Sequence, residues 1–323
     1  MNIGGARAWG RLLTWLDHDD APGAYARLKR APLGHEETGR LVPYFSGGRL
    51  DTDRAEAAFG RVAHRIRASR ILFVPAVLSG IALKASRLRL VEYLTHQVRQ
   101  LKDQGFDAEI ADIDTGATVK ANGARLAEIL AGQHCPTWIV THSKGGLDAL
   151  EAMVLNPDVR RFVDGWVAFQ APFQGSPIAD VACKAPKARR IGAAALKLLG
   201  ADPEAISDLT TGARARYLDA NATQIAQLLA DVPVICVGTA VSKGLLPSWP
   251  TVKWMEERGL RSDGLVPITS TILPGAHYVL LEGMGHGDVA TNHLLSRRKY
   301  EQIDLLKILF ALMLERQTSR VAA

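Results

Sequence analysis

The sequence contains no apolar run long enough to cross a membrane as a helix. The best candidate, Ile71–Leu83, has 13 uncharged residues between Arg70 and Lys84, whereas a spanning helix needs about 20. A run of this length is typical of a buried strand followed by a turn. Apolar residues make up 47% of the chain and charged residues 22%, a composition that excludes a disordered protein and allows a sizeable core.

Cysteine pairs, metal motifs and nucleic-acid motifs are also missing. Cys135, Cys183 and Cys236 are odd in number and lack CxxC spacing, so neither a disulfide framework nor a zinc knuckle is indicated. No HExxH, Walker or dinucleotide fingerprint occurs, and we expect neither a metal nor an organic cofactor. The formal net charge is +6, but the basic residues are spread along the chain. We therefore expect no nucleic-acid partner.

A secretory signal is not recognisable in the first 20 residues. Arg11 interrupts the apolar residues there, Asp17 follows soon after, and no small-residue cleavage site is present. Together with the cysteine pattern, this favours a cytoplasmic protein. The sequence leaves the oligomeric state open.

From Arg70 onward, short β-rich apolar runs alternate with segments of helical period. This alternation predicts an α/β fold, with a mostly parallel sheet flanked by helices. The predicted strands are Ile71–Pro75, Ala108–Ile113, Thr137–Thr141, Trp166–Phe169, Val232–Val237 and Tyr278–Leu281. The predicted helices are Leu88–Leu101, Val119–Leu130 and Gly145–Leu155.

Two segments fall outside this alternation. Residues 1–68 are predicted to form a mostly helical N-terminal extension, which leaves residues 69–323 as the main domain. Residues 173–231 separate two predicted strands by far more than an ordinary connection of about 2–6 residues, and they are predicted to form a helical cap inserted in that domain.

The predicted cap contains a basic stretch with two interpretations. One is a lid whose basic face meets an anionic surface or a lipid interface, as a peripheral contact. The other, which we prefer, is a helix packed on the core with a solvated outer face. The stretch lies between Asp180 and Asp202 without an intervening acid, and its basic residues are Lys184, Lys187, Arg189, Arg190 and Lys197.

Ser143 lies in a pattern typical of a nucleophile elbow, the sharp turn that joins a strand to a helix and raises a serine hydroxyl above the sheet edge. The turn needs small residues two positions before and after the serine. These are Thr141, which stands where glycine is usual, and Gly145. Lys144 opens the predicted helix, so its backbone N–H is available to stabilise an oxyanion. The alternative is that Ser143 only caps the helix.

Two later segments provide an acid and a base in the chain order that such a site requires. Asp263 follows the strand predicted at Val232–Val237, and His286 follows the strand predicted at Tyr278–Leu281. Alone, Asp263 belongs to an ordinary turn and His286 is a loop histidine. All three residues in this order, each after a predicted strand, are not expected by chance.

Two neighbours of these residues have their own interpretations. Asp288 is predicted to hydrogen-bond the loop that carries His286, and it is also an alternative to Asp263 as the acid. His142 lies beside the serine and is predicted to pack at the strand end rather than to take part in catalysis.

With these residues, the sequence resembles the α/β-hydrolase superfamily over roughly residues 70–290. Within the superfamily it resembles the bacterial triacylglycerol lipases and related esterases. Gln170–Asp180 is similar to their "sPHrGsPvAd" stretch, and Asp112–Leu130 is similar to the segment before their elbow strand. The resemblance implies an α/β-hydrolase fold with a helical cap. It also implies a catalytic triad of Ser143, Asp263 and His286.

The resemblance is weakest at the loop that carries the first oxyanion donor. The lipases usually have His-Gly there, whereas this chain has Pro75 and Ala76. By position, the backbone N–H of Val77 corresponds to the first donor and that of Lys144 to the second. One such hydrogen bond lowers the barrier by roughly 2.7–4 kcal/mol, so this loop bears directly on activity.

Together these residues predict a serine carboxylesterase or a lipase-like hydrolase that cleaves a small-molecule or lipid ester through an acyl-enzyme. Two alternatives stay open. An acyltransferase or an intracellular polyester depolymerase would use the same triad, and a catalytically silent binding protein would keep only the fold. The sequence does not specify the acyl chain length of a substrate.

Overall fold

A computed structural model of the chain describes residues 25–30, 32–76, 92–132, 135–184, 203–242, 249–292 and 302–321. Its centre is a sheet of seven strands: β1 (His35–Glu36), β4 (Arg70–Val74), β6 (Ala108–Ile110), β7 (Thr137–His142), β8 (Val163–Phe169), β9 (Val234–Ala240) and β10 (His277–Glu282). Their spatial order is β1-β10-β9-β8-β7-β4-β6, and every neighbouring pair is parallel.

Two small antiparallel pairs accompany this sheet. One joins β2 (Phe45–Ser46) to β3 (Arg49–Leu50). The other joins β5 (Glu92–Tyr93) to β11 (Thr291–Asn292). The second pair connects the segment after His286 to the segment before a helix on the sheet face.

Ten α-helices lie in the described ranges. They are α1 (Thr52–Arg67), α2 (Thr95–Asp103), α3 (Val119–Ala131), α4 (Lys144–Leu155), α5 (Pro177–Lys184), α6 (Pro203–Ser207), α7 (Thr211–Ala220), α8 (Ala222–Asp231), α9 (Trp249–Glu256) and α10 (Gln302–Val321). Short 3₁₀ helices cover Ala26–Lys29, Thr38–Tyr44, Pro157–Phe162 and Ile268–Thr271. None of these helices has the length and apolar content needed to cross a membrane.

The strands are buried on both faces because helices cover both sides of the sheet. Alternate strand residues face opposite ways, so Phe73 and Trp138 meet α1, α2 and α10, whereas Leu72 and Ile139 meet α3, α4 and α8. Two apolar cores result, one on each face. This three-layer arrangement leaves the strand ends and the loops that follow them as the place for a site.

The predicted fold class is confirmed, since the parallel sheet flanked by helices is the one expected from strand and helix alternation. The strands differ from their predictions at the ends. Val163–Phe169 begins before the predicted Trp166, and Ala108–Ile110 ends before the predicted Ile113. β6 lies at the sheet edge and pairs only with β4, at residues 71–73, which limits its length.

The described part of the N-terminal segment contributes to the main sheet. β1 pairs in parallel with β10, with His35 opposite His277. Within the same segment, α1 packs along α10. The domain boundary at residue 68 stays a prediction, but this segment is joined to the main domain by hydrogen bonds.

The predicted cap region is described in part. α5, α6 and α7 lie within it, whereas the basic stretch after Lys184 lies outside the described residues. α8 ends the region, and its Ile225 and Leu228 are buried in the core that also contains α4. α8 therefore belongs to the helical layer on the sheet face.

We predict that Gly165→Ala destabilises the fold. A methyl group at Gly165 would overlap the buried ring of Trp138 on the neighbouring strand, with Cη2 of that ring only 2.8 Å away. Overpacking of this kind costs about 1–3 kcal/mol, which urea denaturation would measure.

The matched control is Gly60→Ala on the exposed side of α1, where an added methyl group meets nothing within 4 Å. In a helix interior this change stabilises by about 0.5–1 kcal/mol. Equal effects of the two substitutions would contradict the packing described at Trp138.

Candidate active site

The three residues singled out by the sequence meet at one edge of the sheet. Ser143 follows β7 directly, and His286 lies four residues after the end of β10. Asp263 comes after β9. The sequence predicts a simple loop between them, but the connection also contains the helix α9. Since parallel strands all end at the same edge, the loops after them converge there.

Ser143 has a strained backbone. Its φ is 55° and its ψ is −127°, a region that residues with a side chain rarely occupy. The Ser143 N–H donates to the carbonyl of Phe169 at 2.9 Å, and the Gly146 N–H donates to the Ser143 carbonyl at 2.9 Å. These bonds fix the turn between β7 and α4 in the conformation of a nucleophile elbow.

Close packing explains the glycines after the serine. A methyl group at Gly145 would overlap the carbonyl of Val74 and lie 2.7 Å from that of Pro75, both at the end of β4. One at Gly146 would overlap the methyl group of Ala171. The elbow pattern predicts a small residue at position 145, and the atoms that require it belong to the adjacent strand end.

Thr141 is accommodated by a specific partner. Its Oγ1 accepts a hydrogen bond of 3.0 Å from Nε1 of Trp166 on β8, so the hydroxyl is satisfied although the residue is buried. This bond allows a threonine at a position where glycine is usual.

Ser143, His286 and Asp263 form a continuous hydrogen-bonded chain. His286 Nε2 lies 2.9 Å from Ser143 Oγ, and His286 Nδ1 lies 2.8 Å from Asp263 Oδ2. Because a carboxylate only accepts, the proton of neutral His286 lies on Nδ1 and Nε2 is free to take the serine proton. This is the arrangement in which a serine hydroxyl becomes a nucleophile.

Asp263 is held rigidly. The residue is fully buried, and its Oδ1 accepts the backbone N–H groups of Leu265 at 2.9 Å and Val266 at 2.8 Å. The Asp263 carbonyl accepts the N–H of His286 at 3.0 Å. The carboxylate therefore keeps Oδ2 directed at the imidazole.

Asp288 contacts the backbone of the loop that carries His286. Its Oδ2 accepts the N–H of Gly285 at 2.8 Å, so it hydrogen-bonds the loop of His286, which is one of its two interpretations. Asp263, and not Asp288, is the carboxylate at Nδ1 of His286.

Lys144 directs its side chain away from the site. Its Nζ lies 2.7 Å from Asp148 Oδ1, and both side chains are buried. Burial raises the pKa of Asp148 to about 6, against the opposing effect of Lys144. As the first residue of α4, Lys144 has a backbone N–H without an intrahelical partner, in the position expected of an oxyanion donor.

The other expected oxyanion donor, Val77, lies outside the described residues. The residue before it, Ala76, is described, and its N–H donates to the hydroxyl of Tyr93 at 2.7 Å. The beginning of this loop is therefore tied to β5.

His142 is buried beside the serine but makes polar contacts of its own. Its Nδ1 lies 3.0 Å from the Tyr93 hydroxyl, and its Nε2 lies 2.8 Å from the backbone carbonyl of His286. Burial lowers the pKa of His142 to about 4, and charge on His286 acts in the same direction.

Two polar residues near His286, Tyr93 and Gln170, were not predicted from the sequence. Tyr93 lies in a two-residue strand, and Gln170 follows β8 with a φ of 52°. The Nε2 of Gln170 donates to the carbonyl of Gly285 at 3.0 Å. The position of Gln170 at the start of the lipase-like stretch Gln170–Asp180 is the one sequence feature that could have pointed to this residue.

Among the residues that the structure describes, no group of three or more His, Cys, Asp or Glu side chains is arranged to hold a metal ion.

The fold and the site together define the class: the chain has the α/β-hydrolase fold. Solved structures with this architecture include a metagenomic carboxyl esterase, MGS0156, at 18% identity and a TM-score of 0.66, covering 92% of this chain and all (100%) of that one. The mature lipase BlEst2 of Bacillus licheniformis is 19% identical with a TM-score of 0.53, over 69% of this chain and 86% of that one.

Lipase 1 of Pelosinus fermentans is 10% identical with a TM-score of 0.50, covering 76% of this chain and 99% of that one. No protein-family model matches the sequence, and no curated protein matches it significantly. At these identities the likeness establishes the fold, and the activity has to be argued from the site.

We predict that Gly145→Ala lowers activity more than it lowers stability. The added methyl group would meet the backbone carbonyls of Val74 and Pro75, which cannot turn away as a side chain can. The turn must shift, and a displacement of about 1 Å at a catalytic group can cost roughly 100-fold in rate. Ester hydrolysis per folded molecule measures the effect, and an unchanged rate would contradict the tight turn.

We also predict a pH dependence of stability from His142. Its folded pKa of about 4 is lower than the ordinary value of 6.5, so the unfolded chain binds its proton more readily. Stability is therefore lost as the pH falls from about 6.5 toward 4, by about 3 kcal/mol in total at roughly 1.4 kcal/mol per pKa unit.

Urea denaturation of the wild type and of His142→Gln at pH 4, 5, 6 and 7 isolates this contribution. The variant should lose less stability over the same range, since glutamine does not titrate. Parallel curves for the two proteins would show that His142 is not buried as a neutral ring.

Proposed function

We propose that the protein is a serine hydrolase that cleaves carboxylic esters. The observation that carries the proposal is the chain of hydrogen bonds from Ser143 Oγ through His286 to the buried Asp263. The elbow turn at the same serine supports it independently, because a helix cap does not require this strained backbone.

The reaction begins when Ser143 Oγ attacks the ester carbonyl and its proton passes to His286 Nε2. Asp263 stabilises the imidazolium that forms and keeps its ring oriented. The carbonyl oxygen becomes an oxyanion, and the backbone N–H of Lys144 at the start of α4 would stabilise it. By its position in the sequence, Val77 would provide the second N–H.

The tetrahedral intermediate then collapses. The bond to the alcohol oxygen breaks, His286 gives its proton to that oxygen, and the acyl group stays on Ser143. Water attacks the acyl-enzyme and gives a proton to His286. The second collapse returns this proton to Ser143 and releases the carboxylic acid.

The substrate class follows from the same chemistry. A small-molecule or lipid ester has the carbonyl and the leaving alcohol that this cycle requires. The structural neighbours named above are lipases and an esterase, which agrees with this class by analogy of fold.

We predict that Ser143→Ala lowers the hydrolysis of p-nitrophenyl esters by about 10⁴-fold or more, because no nucleophile remains. The panel of esters runs from acetate to palmitate, so that the acyl preference is measured with the same proteins. A fluorophosphonate probe should label the wild type but not the variant. Retention of most of the activity in Ser143→Ala would end the proposal.

The acid has a matched test. Asp263→Asn keeps the shape but presents a donor to Nδ1 of His286, and the rate should fall about 10⁴-fold. Asp288→Asn keeps an acceptor for the Gly285 N–H and should lose less than roughly tenfold. A larger loss of rate in Asp288→Asn than in Asp263→Asn would assign the role of the acid to Asp288.

A further inference from the structure

A second chain of hydrogen bonds lies beneath the triad and ends on its histidine. It runs from the Ala76 N–H to the Tyr93 hydroxyl at 2.7 Å, from that hydroxyl to His142 Nδ1 at 3.0 Å, and from His142 Nε2 to the His286 carbonyl at 2.8 Å. Tyr93 and His142 are both buried. The chain thus connects the start of the loop before Val77 with the backbone of His286.

The direction of every bond in this chain can be assigned. Two oxygens face His142 Nε2, the His286 carbonyl at 2.8 Å and Gln170 Oε1 at 3.2 Å. Both only accept, so the proton lies on Nε2 and Nδ1 must accept from the Tyr93 hydroxyl. The Tyr93 oxygen in turn accepts the Ala76 N–H. Each group donates to the next, without conflict.

A neighbouring side chain supports the same loop. Gln170 Nε2 donates to the Gly285 carbonyl at 3.0 Å and also to Thr239 Oγ1. Consecutive carbonyls, those of Gly285 and His286, are therefore each held by a buried side chain. These two contacts join the backbone of the loop that carries His286 to residues at the ends of β7 and β8.

We propose that His142 is a positioning residue for His286, and that Tyr93 fixes the ring of His142 in the orientation that this requires. The role rests on the proposed function, because a position matters only if His286 transfers protons. His142 touches neither Ser143 Oγ nor the reacting atoms in this arrangement. It acts through the backbone that carries the base.

The geometry gives this role a physical reason. His286 has to keep Nε2 near the serine and Nδ1 near Asp263 while its charge changes during the cycle. A neutral His142 holds the carbonyl of His286 without adding a second positive charge, since the two ring centroids are only 5.1 Å apart.

Substitutions at His142 separate its two contacts. His142→Gln places an amide nitrogen near the position of Nε2 and keeps a donor for the His286 carbonyl. His142→Asn is shorter and ends near the position of Nδ1, so this donor is lost. Tyr93→Phe removes one hydroxyl from the chain. Its matched control is Tyr278→Phe, which removes a hydroxyl from a buried tyrosine on β10 in the other core.

The measurement is kcat and KM on a p-nitrophenyl ester, per serine titrated with a fluorophosphonate. We expect His142→Asn to lower kcat roughly 10- to 100-fold with KM changed less than about twofold. His142→Gln should keep kcat within about threefold of the wild type. The kcat of Tyr93→Phe should lie between the values of these two variants, and the kcat of Tyr278→Phe should equal that of the wild type.

Several results would overturn the proposal. One is an unchanged kcat in His142→Asn, and another is an equal loss in His142→Asn and His142→Gln, which would indicate packing alone. If His142→Asn fails to fold, Tyr93→Phe decides, because it removes a single atom. If the kcat of Tyr93→Phe then equals that of Tyr278→Phe, the positioning role is rejected.

A nuclear magnetic resonance experiment keeps this test separate from the proposed function. Ring ¹⁵N shifts should show His142 protonated on Nε2 only. The Nδ1 proton of His286 should be resolved in the wild type and His142→Gln but lost to exchange in His142→Asn. A wild type without esterase activity would reject the proposed function, whereas an unaffected Nδ1 proton in His142→Asn would reject the positioning role.

Discussion

The backbone of Ser143 is held in a conformation that costs on the order of 1–3 kcal/mol for a residue with a side chain. The parallel sheet makes this possible, because β7 and α4 are buried along their lengths and leave the turn between them no alternative path. The glycines at 145 and 146 allow the ends of β4 and β8 to approach closely. The direction of Oγ follows from this packing, and the positions useful for a base and an acid follow from Oγ.

His142, which is buried, and His286, which is partly buried, carry their protons on opposite nitrogens. His286 faces Asp263 with Nδ1, and His142 faces two carbonyl-type oxygens with Nε2. Burial keeps the pKa of His142 low, so the pair carries one positive charge at most near neutral pH. The base can therefore become charged during a reaction without opposition from its neighbour.

Features encoded locally could be predicted from the sequence. The strands with strong apolar patterns lie where those patterns indicated, apart from their ends, because periodicity acts over short distances. Ser143 and Asp263, singled out with His286 by their order along the chain, are both within hydrogen-bonding distance of His286. β1 has only two residues and forms by pairing with β10, so it has no local signal. Tyr93 and Gln170 are buried polar residues, and their partners lie far away in the sequence. Only the folded arrangement shows what satisfies them.

The pairing of β1 with β10 has a consequence for synthesis. The ribosome makes His35 before its partner strand at His277, which follows roughly 240 residues later, a delay of some 10 to 50 seconds at about 5–20 residues per second. During that time the sheet edge next to β10 does not exist. β1 must therefore wait until β10 has emerged, so the first strand of the main sheet to be translated pairs with the last.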